Sequence, residues 1–436
     1  MANSYLYRTQ GTGSSYDIWT LSMWVKRSGL GSLQGLMSTA GGWNTGGGMA
    51  IMFSDADVIN IYNPSQGSTG GNYNQCTRKF RDTSAWYHLV FRADSTQGTQ
   101  ADRMKVYING VQETSFNMGN LPTQGTDWNN VNRNGETLQI GRGGNGGSTF
   151  FDGIMTHVHF IDGTSYDASA FGETDTTTGE WKAKTSPSVT YGNNGFLILK
   201  DGNTITDQSS NSNNFTLGGG TLTNLKDNPD NVFATLNPLA GTAIGSYTNG
   251  NNRVVGVSTS WTTAPSTLAV SSGKFYCEAK AQHTSLMVGI LDIDQMITNN
   301  FQGTKSNGWG YEGTGTLWNN GNPTTSWGST YTTGDIIGIA MDLDNNKLYF
   351  SKNGTWQNSA NPSAGTGGIS ITADKTYYFA MSPVDSTSSV IEANFGNGYF
   401  GTTAVSSAGT NASDNGIFEY DVPTGYTALS TKGLNL

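Results

Sequence analysis

The chain has 436 residues and a formal net charge of −9, and only 13% of its residues are charged, against roughly 25% in an ordinary globular protein. That balance excludes nucleic acid as a partner, because such recognition needs a basic footprint and no Lys/Arg cluster supplies one. An aromatic share of 11% with 11 tryptophans excludes a disordered chain. The longest apolar runs, such as Ile336–Met341 broken by Gly338, are far too short to insert in a bilayer.

Hydroxyls, amides and 59 glycines make up most of the polar surface, so its hydration should depend little on salt. The start, MANSYLYRTQ, lacks the charged and apolar regions of a secretory signal. Cys76 and Cys277 fall in different halves, which excludes a disulfide framework. Both read as small buried hydrophobes, as expected of a chain assembled in a reducing cytoplasm.

Almost nothing reads as helix; the pattern is short alternating runs bounded by Gly, Asn, Asp and Ser. In Trp19–Lys26, the residues Trp19, Leu21, Met23 and Val25 share one face and Thr20, Ser22, Trp24 and Lys26 the other. Met104–Ile108 runs into Asn109-Gly110, a dipeptide that supplies the positive φ angles of a tight hairpin. Next come Leu138–Arg142, Phe151–Phe160 and a short helical turn at Asp167–Phe171. A polar, glycine-bearing stretch between Thr204 and Asn237 marks a domain boundary near residue 226. Beyond it, Lys347–Phe350 leads to Asn353-Gly354, and the dipeptide recurs at Asn194-Gly195, Asn320-Gly321 and Asn397-Gly398. The tail ends in IFEYDVPTGYTALS, which could dock as a last extended segment. The predicted architecture is all-β, with two antiparallel β-sandwich domains in tandem: 1–203, a connector 204–231, 232–400, and an extended segment 401–436.

The order WYHLVFRA (Trp86–Ala93), RMKVYING (Arg103–Gly110), LQIGR (Leu138–Arg142) and FDGIMTHVHF (Phe151–Phe160) resembles the laminin-G/concanavalin-like jelly roll over roughly residues 4–200. Members of that family often bind glycans, some through calcium, but no calcium motif is evident here. The stretches FIDGTSYDASAFGETDTTTGEWKAK, YGNNGFLILKD and DNPDNVFATLNPL are similar to segments of bacteriophage tail-fibre-like virion proteins.

In the second half, GKFYCEAKA (Gly273–Ala281), MVGILD, NGWGYEG, the long GDIIGIAMDLDNNKLYFSKNGTW (Gly334–Trp356) and EANFG resemble the SPRY domain over about residues 232–400. The resemblance implies a module that binds proteins through variable loops and catalyses nothing. The residues agree with a sandwich strand: Ile337, Ile339, Met341 and Leu343 alternate with Gly338, Ala340 and Asp342.

No constellation carries chemistry. Asp342-Leu-Asp344-Asn-Asn346 starts like an EF-hand loop but has Lys347 where glycine is needed and Asn353 where a bidentate Glu is needed. Asp152, Asp162 and Asp167 are close in sequence, yet read as turn formers. His157 and His159, two apart in a strand, should share one face; without a third ligand they read as groove lining. His88 and His283 have no companion motif, no nucleophile elbow exists, and Glu278 and Glu312 are not singled out as a glycosidase pair. The glycine runs at Gly46–Gly48 and Gly218–Gly220 read as loops. No catalytic residue, metal or cofactor is expected.

Trp19, Trp86 and Trp356 lie in or beside strand patterns and read as core. Trp43, Trp128, Trp318 and Trp327 sit in Gly/Asn/Thr-rich loops, where an indole beside amides can grip a sugar; the other reading is sandwich-end capping or a subunit interface. The expectation is a bacteriophage virion protein, assembled in the host cytoplasm, that recognises host surface polysaccharide or protein without catalysis and contacts other virion proteins. The tail-fibre resemblance implies a homo-oligomer, most often a trimer. Two alternatives stand: a capsid decoration or cement protein or fixed tail part, and a polysaccharide-degrading enzyme on a jelly roll.

Overall fold

The computed structural model describes residues 3–39, 47–63, 73–117, 121–144, 149–200, 202, 204–240, 246–256, 261–295, 300–384 and 389–435. The chain divides into two compact units, Met1–Asn224 and Leu225–Leu436. Each is a sandwich of two sheets, antiparallel throughout except for one parallel pair in the second unit.

In the first unit an eight-stranded sheet runs Phe116–Asn117, Tyr73–Cys76, Ile59–Tyr62, Ala50–Phe53, Gln34–Thr39, Thr137–Ile140, Tyr5–Thr9, Thr216–Gly219. A six-stranded sheet runs Phe196–Ile198, Gly153–Asp162, Ile18–Arg27, Trp86–Asp94, Met104–Ile108, Val111–Gln112. Their inner faces interdigitate as alternation dictates: Trp19, Leu21, Met23 and Val25 meet Met37, Ile51, Ile61 and Leu138 in one core. The alternate set Thr20, Ser22, Trp24 and Lys26 is buried as well. The excursion after Asp162 folds back over that face, and Phe171, Trp181 and Tyr191 pack on Val90 and Ile161. The short helical turn appears there as one turn of 3-10 helix, Ala168–Ala170.

Three expectations for this unit change. The stretch assigned to a connector begins inside the sandwich: Thr216–Gly219 pairs with Tyr5–Thr9, and Phe215 joins the core. Gly218 and Gly219 of the glycine run are therefore strand, not loop, and the Tyr5 ring lies where a Cβ on Gly218 would stand, 2.3 Å away. His157 and His159 do not alternate simply, because a bulge interrupts the register between Thr156 and His159 and His157 takes a left-handed backbone, φ 49°. His159 stacks on Tyr191, 2.9 Å from its hydroxyl. His88 lies between Trp24 and Trp181. The Trp181 indole donates to His88 Nδ1 at 2.9 Å, so the other nitrogen carries the proton toward Ser22 Oγ, also at 2.9 Å. Burial pulls the His88 pKa down to about 3 and that of His159 well below its usual value.

Asp162 ties loops together: its carboxylate accepts from the backbone N–H of Ser14, Ser15 and Asn194 and from Asn132 Nδ2. Asp167 instead takes Arg92 and the Tyr107 hydroxyl. Among the described residues no three His, Cys, Asp or Glu side chains converge as a metal site.

The second unit pairs a nine-stranded sheet, whose path runs Ser246–Thr248, Arg253–Val255, Val390–Asn394, Lys274–Ala281, Ile336–Asp342, Lys347–Lys352, Thr355–Trp356, with a six-stranded one. The latter runs Ala264–Val270, Tyr377–Pro383, Leu286–Asp292, Gly308–Glu312, Leu317–Asn319, Asn322–Thr324. Ile337, Ile339, Met341, Leu348 and Phe350 fill the core between them. Ala340, Tyr276 and Tyr349 point to the opposite face of the nine-stranded sheet, under Phe418, Val422 and Tyr426 of the C-terminal segment. Thr427–Ala428 then pairs in parallel with Lys274–Ala281.

A buried carboxylate fastens that segment. Glu278 accepts the backbone N–H groups of Glu419 and Tyr420, both at 2.9 Å, the Tyr276 hydroxyl at 3.1 Å and Asn394 Nδ2 at 3.3 Å. Desolvation outweighs these donors and raises its pKa to about 7.

Candidate functional site

On the outer face of the eight-stranded sheet, alternation places a second set of residues opposite the core. Register aligns Tyr7, Gln139, Ser38, Ala50, Tyr62 and Tyr73 as one cross-strand row. Beside it runs a shorter row of Met52, Asn60 and Gln75. At the strand spacing of a sheet, Tyr7 and Tyr73 stand about 24 Å apart. Ser38, Ala50 and Met52 are fully buried and Gln139, Asn60 and Tyr62 nearly so, so this face is reached at Tyr7 at one end and at Tyr73 and Gln75 at the other.

At one end Tyr7 is exposed and Tyr5 lies between it and Phe150, with ring centroids 6.1 and 5.9 Å away. The Arg142 guanidinium covers Tyr5 at 4.7 Å and Phe150 at 5.3 Å. At the other end Tyr62 and Tyr73 pack at 5.1 Å. There Gln75 Nε2 donates to Asn60 Oδ1 at 2.9 Å, and Asn60 Nδ2 donates to the Tyr62 hydroxyl at 3.0 Å. Such chained amides hold both side chains in one orientation. The described side chains of these rows are tyrosyl, amide, hydroxyl or apolar, and none is a carboxylate. Rings with fixed amides suit the apolar C–H faces and hydroxyls of a sugar.

Of the four tryptophans singled out from sequence, three lie among the described residues, each in a different setting. Trp43 lies outside the described residues. Trp128 is a core residue, not a surface contact: it is 0% exposed, packs edge-on against Trp19 at 5.6 Å and donates its indole N–H to Asp17 O at 3.0 Å. Its polar loop hid the burial, since the neighbouring residues face out while the indole plugs the sandwich end. Trp327 is half-buried and sits edge-on to Tyr311 and Phe350, capping the second core.

Trp318 is half-buried, on the outer face of the six-stranded sheet of the second unit. Phe301 stands between it and Trp261, at 5.2 and 5.0 Å. The Trp318 indole donates to Glu312 Oε2 at 2.9 Å, so Glu312 orients a ring rather than facing a second carboxylate. Trp261 and Phe301 were missed from sequence, as were Tyr5, Tyr7, Tyr62 and Tyr73. For the tyrosines a signal existed, namely strand positions that alternate with core residues.

Residues 3–169 match the family model described as the concanavalin A-like lectin/glucanases superfamily, a laminin-G type. Residues 274–369 match the model of the SPRY domain. The two units are thus a concanavalin-like sandwich followed by a SPRY-like one, and both matches fit a binding role, with carbohydrate binding a fit for the first. Similar solved structures include the SPRY domain of human HERC1, at 19% identity over 33% of this chain and 87% of that one, TM-score 0.27. A candidate carbohydrate binding protein from Bacteroides ovatus shares 18% identity over 50% of this chain and 57% of that one, TM-score 0.35. The heptameric SAP-like pentraxin of Limulus polyphemus shares 15% identity over 46% and 90%, TM-score 0.27. No curated protein matches the sequence.

Proposed function

We propose that this chain is a non-catalytic carbohydrate-binding protein that contacts glycans through the outer face of its first unit. The observation that carries the reading is the tyrosine-and-amide face itself, with Tyr5 and Tyr7 beside Phe150 at one end and, at the other, Tyr73 and Gln75 held from beneath by the buried Tyr62 and Asn60. Binding without cleavage is supported by the make-up of its rows, because glycoside hydrolysis uses two carboxyl groups about 5–9.5 Å apart. The finer reading, a receptor-recognition component of a bacteriophage particle, is supported by the sequence resemblance of the stretches after Phe160 to tail-fibre-like virion proteins. Copies arrayed on a particle would add weak single contacts through effective concentration.

The test is a glycan array probed with the wild type and with Tyr7→Ala and Tyr73→Ala variants. Retained glycans that neither substitution weakens would remove the face from the reading. Immunogold labelling of particles from an infected host tests the virion assignment, and label confined to unassembled protein would reject it.

A further inference from the structure

Arg142 stands apart from the other arginines of the chain. Six of the nine pair with a carboxylate, and Arg8 and Arg103 donate to amide or backbone oxygens. Among the described residues Arg142 has neither an ion pair nor a hydrogen bond for its guanidinium, only the rings of Tyr5 and Phe150.

Its place is set from the backbone up. Gly141, at φ 81°, ends the strand Thr137–Ile140, and Arg142 then faces Phe150 across an isolated antiparallel bridge. Ser38 Oγ donates to the Arg142 carbonyl at 2.9 Å, and the carbonyl carbon of Arg142 lies 2.1 Å from where a Cβ on Gly35 would stand. A pinned backbone and two rings under the guanidinium hold a side chain that otherwise carries about 2 kcal/mol of rotamer entropy.

Arg142 is partly exposed. Its Nε is buried with no hydrogen-bond partner, so the Nη1/Nη2 fork is the part left to reach solvent. A cation taken partly out of water and left unpaired is costly. An anion in the plane of the fork offsets that cost through two parallel hydrogen bonds, and the described side chains of the neighbouring rows include no carboxylate to supply it. The exposed Tyr7 lies just beyond Tyr5.

We infer that Arg142 makes this end of the face selective for an acidic glycan, holding the carboxylate of a uronic-acid residue whose neighbouring ring lies on Tyr7; this rests on the outer face being the glycan contact. A planar carboxylate matches the fork, and Tyr7 takes the apolar C–H face of the adjoining sugar.

The test is calorimetry at 0.05 M salt with trigalacturonate, trimannuronate and a hyaluronan tetrasaccharide, each set against its methyl ester, and with a heparin tetrasaccharide as the sulfated control. At least one acid should bind about tenfold tighter than its ester, the worth of one charge-assisted contact. At 0.5 M salt that acid should fall toward its ester, whose own affinity holds. Arg142→Gln should remove the preference and leave the ester within about twofold of wild type. Arg142→Lys keeps the charge but loses the fork, and should keep only part of the preference. The wild-type comparison of acid with ester needs no variant, so it decides even where Arg142→Gln fails to fold. Equal affinity for every acid and its ester, a preference that survives Arg142→Gln, or binding confined to the heparin tetrasaccharide would overturn the selectivity. Where neutral glycans still bind and Tyr7→Ala still weakens them, the failure concerns Arg142 alone. Where Tyr7→Ala alters no glycan, the outer-face reading fails and the selectivity falls with it.

Discussion

Tyr7 and Trp128 separate two uses of an aromatic ring. Tyr7 is exposed and touches little of the core, so Tyr7→Ala should leave folding within about 0.5 kcal/mol of wild type and reduce glycan affinity about tenfold by calorimetry. Trp128 touches no solvent, and Trp128→Ala should cost about 3–5 kcal/mol in chemical denaturation with no selective loss of binding in the molecules that fold. Asp162 belongs to the same scale. Its alanine variant strands three backbone N–H groups and one amide, each worth about 1–3 kcal/mol when buried and unpaired. Urea titration should show a midpoint loss larger than that of an exposed Asp55→Ala control.

At the scale of elements, turns were the most legible feature. Asn109-Gly110, Asn320-Gly321 and Asn353-Gly354 all place both residues at positive φ, as their hairpins demand. The alternating strands of both cores were legible for the same local reason: period two needs only neighbours. The misread elements depend on distant partners. Thr216–Gly219 looks like a loop until Tyr5 is known to lie on Gly218, and a Gly218→Val variant should drive that ring away and unpair the edge strand, raising amide exchange at Leu6 and Leu217. The site was less legible than the fold. Indoles in polar loops drew attention, whereas the tyrosines of the outer face look like ordinary strand residues until register aligns them. The C-terminal segment was half-legible, since Phe418, Val422 and Tyr426 are apolar but too sparse to reveal a partner, and Glu278 shows nothing in sequence of the two backbone amides it holds.

At the scale of the whole molecule the two units should answer acid in opposite directions. His88 titrates lower when folded, at about 3, so its contribution is complete above pH ~6.5 and drains away as the pH falls. Glu278 titrates higher when folded, at about 7, so its contribution is complete below pH ~4.5 and is lost as the pH rises toward 7. Between pH 7 and pH 5 the first unit should lose about 2 kcal/mol through His88, and the second should gain about 2 kcal/mol. Hydrogen exchange read separately in each unit checks this, and Glu278→Gln should abolish the gain in the second. Glycan binding through uncharged groups should also survive a rise from 0.05 to 0.5 M salt, since screening acts on charges; a steep salt dependence would point to Arg142 as the main contact.

The parallel pairing of Thr427–Ala428 with Lys274–Ala281, and the antiparallel pairing of Tyr5–Thr9 with Thr216–Gly219, also set a timetable. In both units a strand that leaves the ribosome early must wait for a mate translated last. Closing such distant pairs is slow, so each nascent sandwich spends most of its synthesis with one flank open. While the second unit waits, Tyr276 and Tyr349 lack the cover of Phe418, Val422 and Tyr426, which makes this stage the one at which a chaperone would help.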